Sequence, residues 1–188
     1  SSSVVTDANS LEFFAEHGLL YQEDAPVGGI VATLDQKGLS NNTDGFKFIA
    51  EHLLTDSRIR PILKPYLSQD NPQVCSPFSA DPGHIFAFST APVIGKRIVV
   101  YAWGAGSHME FYANSHIKEL KGVRASNGLL EIAEASLKRN GCTAISVRME
   151  KGGIAILHPR HAFRIREGFT NAYGLEITGQ VKAKVSHQ

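Results

Sequence analysis

The stretch Arg97 to His116, RIVVYAWGAGSHMEFYANSH, gathers a Trp, two Tyr, two His and a Glu within twenty positions. Within it His108-Met109-Glu110-Phe111-Tyr112 alternates, and on a β-strand that places His108, Glu110 and Tyr112 on one face. A carboxylate and an imidazole two apart on a strand, joined by a distant imidazole, are the donor supply of a non-heme iron facial triad, whose open face admits substrate and oxygen. His108 and Glu110 would be the local pair, and His161 or His158 the third ligand. Those two are three apart, so a straight strand turns them to opposite sides and only one can coordinate; we take His161. Arg160, Arg164 and Arg166 lie close to them in sequence, and Arg164 or Arg166 suits a bidentate clamp on the carboxylate of a cosubstrate. The same residues equally suit a solvated strand face without metal. A metal-free site could use them differently, with Glu110 or a His such as His116 moving a proton and Tyr112 or Tyr101 donating a hydrogen bond, for isomerisation, dehydration or cyclisation.

The elements that must position these groups are mostly strands. Ile98 to Trp103 is β-branched and aromatic, as in a buried strand, and Gly104-Ala105-Gly106-Ser107 separates it from the alternating segment. Further strands are expected at Ile85–Phe88, Leu129–Ile132, Thr143–Arg148, Ile154–Leu157, Ala162–Ile165 and Tyr173–Thr178, with a short helix between Glu131 and Asn140 ended by Gly141. Many short strands with Gly-rich joints indicate a sandwich or barrel. The part from about residue 8 to 67 is more helical. Asn9-Ser10 start a helix ended by Gly18, Asp44 starts one running to Leu54, and Ile59, Ile62, Leu63, Tyr66 and Leu67 give a third, with Pro61 in its first turn. Their apolar stripes are expected to back a sheet. Leu19 to Thr33, broken by Pro26, Gly28 and Gly29, reads as strand, turn and strand, and the Pro-rich run Ser68 to Pro82 as a loop and mobile lid.

Bulk properties narrow the function. The 188 residues fit one domain with a sizeable core, and 19 Lys plus Arg against 18 Asp plus Glu provide no field that would draw nucleic acid or an anionic membrane, so a small-molecule partner is expected. Cys75 and Cys142, outside any zinc-finger spacing, read as free thiols of a reducing compartment, which favours the cytoplasm. No apolar run approaches membrane-spanning length. Gly104 to Ser107 lacks the Lys of a phosphate loop, and no G-x-S-x-G hydrolase elbow occurs.

Several segments resemble, in order, the phytanoyl-CoA dioxygenase-like branch of the iron and 2-oxoglutarate oxygenases. They are Phe13-Phe14-Ala15-Glu16-His17-Gly18-Leu19-Leu20, the strand ending in Trp103, the step Asn114-Ser115-His116, and Gly152-Gly153-Ile154-Ala155-Ile156-Leu157-His158-Pro159-Arg160. The likeness spans most of the chain. It implies a mainly β double-stranded β-helix, cupin-like or jelly-roll, with flanking α-helices, and Fe(II) with 2-oxoglutarate as cofactors. Two registers follow from it. If Trp103 and His116 set the alignment, the family's HxD falls at His84-Ile85-Phe86 and its distal His at Phe163, so aromatic rings replace two ligands and the iron site is lost. If His108-Met109-Glu110 is that element, His161 completes the triad and Arg164 or Arg166 holds 2-oxoglutarate. The expectation is an oxygenase-like protein acting on a small apolar organic molecule. A metal-free isomerase, dehydratase or cyclase, or a non-catalytic binding protein, are its rivals.

Overall fold

The computed structural model describes residues 9–67, 72, 74–92 and 96–177. The chain begins with α1 (Ser10–His17), whose end is fixed by Gly18 in the left-handed conformation with its N–H donated to the Phe14 carbonyl, as the sequence predicts. β1 (Leu19–Glu23) follows, but the second half of the expected strand–turn–strand is instead the helix α2 (Ala25–Gln36). Asp24 accepts the Val27 N–H at 3.1 Å, Pro26 occupies the first turn where no amide is required, and Val27, Val31 and Leu34 form one buried face. Of the two glycines there, Gly28 serves packing. A Cβ at Gly28 would lie 2.1 Å from the Lys151 carbonyl oxygen, so the helix meets the turn at residues 150–152 with bare backbone.

α3 (Gly45–Leu53) matches expectation, and the third predicted helix is divided into α4 (Arg60–Leu63) and a 3-10 turn over Lys64–Tyr66 carrying Pro65. Part of the expected lid is a strand, β2 (Val74–Ser79); residues 68–71 and 73 of that segment lie outside the described residues. The remaining elements are β3 (Phe86–Ala87), β4 (Lys96–Trp103), β5 (Ser107–Ala113), a 3-10 turn at Ser115–Ile117, β6 (Gly122–Arg124), β7 (Leu130–Ile132), α5 (Glu134–Arg139), β8 (Thr143–Met149), β9 (Gly153–Leu157), β10 (Phe163–Glu167) and β11 (Phe169–Ile177). The short edge strand β6 was not legible in the sequence.

All strand pairs are antiparallel, in two sheets ordered β1-β9-β4-β11-β2 and β6-β7-β3-β10-β5-β8. The chain is thus mainly β, a cupin-like jelly roll with flanking helices. Alternation along β4 shows how the layers divide. Ile98, Val100 and Ala102 pack with α2, α3 and α4, whereas Val99, Tyr101 and Trp103 face the second sheet. All five residues of β9 are buried because it too is covered on both faces. From the second sheet Met109 and Phe111 of β5, and Phe163 and Ile165 of β10, complete the interior. That sheet's outer face carries a smaller cluster with Ala87, Tyr112, Ile132 and Ala162 beside Leu137 of α5. No helix of the described residues is long and apolar enough to cross a membrane, and Cys75 and Cys142 are free thiols.

Candidate functional site

His108, Glu110 and Tyr112 share one face of β5, as their spacing predicts, but it is the face turned away from the interior. Met109 and Phe111 occupy the inward positions. Glu110 Oε1 accepts hydrogen bonds from Arg166 Nε at 3.0 Å and Nη2 at 2.8 Å, while Oε2 accepts the Tyr112 hydroxyl at 3.2 Å and lies 3.6 Å from Arg164 Nε. Arg164 Nη2 also donates to Glu134 Oε2 of α5 at 2.8 Å, and its guanidinium lies 6.0 Å from the centre of the Tyr112 ring. Burial is the main reason the Tyr112 hydroxyl is pushed up to about 12. His108 Nε2 stands 2.8 Å from Ser146 Oγ. Arg164 and Arg166 are therefore engaged by protein carboxylates, and Glu110 holds β5, β10 and α5 together through them.

His161 is on the other side. It lies in the connection before β10, two residues from Phe163 of the interior, and its ring meets that of the inward-facing Phe111 edge-on at 6.4 Å. The sheet itself separates it from His108 and Glu110, so the expected iron triad does not come together. Among the described residues no three His, Cys, Asp or Glu converge so as to hold a metal ion.

The other register of the resemblance describes the interior better. Phe86 of β3 is the direct cross-strand partner of Phe163 of β10, and both are buried among Tyr101, Trp103, Phe111 and Phe78. Phe163 meets Tyr101 edge-on at 5.0 Å, and Tyr101 stacks with Trp103 at 6.0 Å. His84, the remaining member of that register, is exposed and pairs with Asp81 at 2.7 Å. Phe offers no lone pair to a metal, so these positions cannot supply an iron centre. Complete burial raises the Tyr101 hydroxyl far above its ordinary value. The indole Nε1 of Trp103 is buried without a hydrogen-bond partner among the described residues.

Beside this aromatic interior is a cluster that the spacing of the sequence did not reveal: His116, His158 and His161. The His116 ring centre lies 5.8 Å from that of His158 and 5.7 Å from that of His161. His116 follows β5 in the 3-10 turn, held against Gly18, where a Cβ would come within 2.6 Å of its ring. The β9–β10 connection brings the other two, with the His158 N–H donated to the Gly18 carbonyl at 2.8 Å. His116 Nε2 donates to the Glu16 carbonyl at 3.1 Å, which fixes Nδ1 as the acceptor; His158 Nδ1 accepts the Arg160 N–H at 3.2 Å. Burial first, then the neighbouring imidazoles, lowers His161 to about 3 and His158 to about 4, and burial also lowers His116. All three are neutral near pH 7. The sequence offers His116 as a proton-moving residue, but only the fold brings it together with His158 and His161.

No protein-family model matches the sequence, and no curated protein matches it. Among solved structures the chain is similar to iron-bound HygX from Streptomyces hygroscopicus, with 13% identity over 90% of this chain and 86% of that one and a TM-score of 0.52. It is also similar to the epimerase SnoN in complex with Fe3+, alpha ketoglutarate and nogalamycin RO, with 12% identity over 90% and 83% of the two chains and a TM-score of 0.54. A third is EvdO2 from Micromonospora carbonacea var. aurantiaca, with 13% identity over 94% and 95% and a TM-score of 0.51. At these identities the likeness establishes the fold. That fold is used by proteins holding iron and 2-oxoglutarate, but the residues described above do not fit that pair. Aromatic rings face each other at two positions of one register, and in the other the donors are split between two faces of a sheet.

Proposed function

We propose that this protein is a metal-free derivative of the iron and 2-oxoglutarate oxygenases, of the phytanoyl-CoA dioxygenase-like branch by its residue likeness. Its interior takes a small, largely apolar organic molecule. The observation that carries this reading is the Phe86–Phe163 pair across β3 and β10, set among Tyr101, Trp103 and Phe111. Such walls favour a flat apolar ligand through burial and ring packing. The chemistry available beside them is proton transfer through His116, whose Nδ1 can accept and return a proton for isomerisation, dehydration or cyclisation, while His158 and His161 are held too low to act as bases. Glu110 and Tyr112 face the opposite side of the sheet, and their place in this reading is structural.

The test is a thermal-shift screen of small apolar compounds with a strong chelator present throughout, because a molecule that binds only the folded chain raises apparent stability. Stabilising compounds are then incubated with the protein and analysed by mass spectrometry. The reading predicts stabilisation that chelator leaves intact and products of unchanged mass or with water lost. Stabilisation that disappears with chelator, or products with oxygen added, would contradict it.

A further inference from the structure

Three buried nitrogens of the histidine cluster lack any hydrogen-bond partner among the described residues: His116 Nδ1, His161 Nδ1 and His161 Nε2. His161 is 1% exposed and His116 6%. A buried polar atom left unsatisfied is unfavourable, so three together call for a molecule that engages them. Their hydrogen-bonding roles define that molecule. His116 Nδ1 is an acceptor, because Nε2 donates to the Glu16 carbonyl. Neutral His161 adds one donor and one acceptor. A hydroxyl group engages two of the three, since its proton satisfies one acceptor and its oxygen receives the His161 N–H. A charged group would be costly in so buried a place. The His161 ring also meets the edge-on ring of Phe111, which is cross-strand partner of Phe163. The hydroxyl's carrier therefore abuts aromatic walls, and a flat ring packs on them best.

We propose that His161 and His116 form a binding site for a neutral hydroxyl group borne on a flat apolar ring, that is, a phenol or a cyclic enol. This rests on the interior ligand site argued above and specifies the class of compound it takes.

The experiment uses phenol, anisole and toluene as probes of the intact chain, followed by calorimetry and by the indole N–H resonance of Trp103. That resonance is unambiguous because the chain has a single Trp, and Trp103 stacks on Tyr101 in the same interior. Phenol should bind about tenfold more tightly than anisole, which keeps the ring and oxygen but has no proton to donate. His161→Leu should abolish that preference while toluene binding persists, and His161→Gln, which retains a donor and an acceptor, should restore part of it. The comparison of phenol with anisole needs no variant, so it stands even if His161→Leu does not fold. Equal affinities for phenol and anisole, or a preference that survives His161→Leu, would overturn the hydroxyl site and leave the apolar interior intact. Failure of all three probes to bind would overturn both. A stoichiometric metal ion that leaves on His161→Leu substitution would also overturn the proposal, since the nitrogens would then be ligands.

Discussion

Glu110 is the carboxylate on which Arg164, Arg166 and Tyr112 converge, with its side chain only 16% exposed. Removing it would leave two guanidinium groups without their shared partner, one of them on a side chain only 8% exposed. Glu110→Ala should therefore cost about 2–3 kcal/mol in chemical denaturation, somewhat below the value for a fully buried pair because Arg166 retains access to solvent. An unchanged unfolding midpoint would show that the network contributes nothing to stability. The buried imidazoles give a second prediction with a definite sign. Above pH 6.5 folded and unfolded chains both carry them neutral. Below it the unfolded chain binds protons that His158 and His161, held at about 4 and about 3, refuse, so stability is lost as pH falls through that window. His161 alone should cost about 2 kcal/mol at pH 5. Asp56, held far down by its hydrogen bonds to Arg58, and Glu134, held down to about 2 by Lys138 and Arg164, keep most of their contributions until below about pH 5, so the range from about 6.5 to about 5 reports mainly on the histidines. Urea midpoints that stay level across that range would contradict this assignment.

At the scale of elements, the seat of α2 is the most sharply testable. Gly28 lies against the Lys151 carbonyl and Gly152, whereas a Cβ on the neighbouring Gly29 would meet nothing within 4 Å. Gly28→Ala should destabilise by about 2 kcal/mol through overpacking, while Gly29→Ala should be neutral or stabilise by about 0.5–1 kcal/mol as the helix gains propensity. Equal effects of the two in thermal denaturation would contradict the packing described. The same pair explains why α2 was illegible in the sequence. Pro-Val-Gly-Gly is turn chemistry by local preference, and only the distant turn at residues 150–152 makes glycine necessary within a helix. β2 was hidden similarly: Pro77 discourages a strand reading but is tolerated at the edge of a sheet, where β2 pairs with β11 alone. By contrast β4, β5, β8 and β9 were legible from β-branched and aromatic runs, because both of their faces or one of them is core.

At the scale of the molecule, the jelly roll was legible through the number and composition of its strands and through the family resemblance. The side of each sheet was not. Alternation correctly grouped His108, Glu110 and Tyr112 but could not say which face of β5 points inward; Met109 and Phe111 settle it by burying against the first sheet. Nor could spacing assemble His116 with His158 and His161, which are separated by more than forty residues and meet only where the 3-10 turn after β5 packs on the β9–β10 connection. The result is a fold shared with iron-holding and 2-oxoglutarate-holding proteins whose own interior is aromatic and neutral. The most direct test of that account is elemental analysis of protein loaded anaerobically with excess Fe(II) and 2-oxoglutarate and then desalted. The account predicts iron far below one equivalent and no retained 2-oxoglutarate. One equivalent of iron, retained together with 2-oxoglutarate, would contradict it.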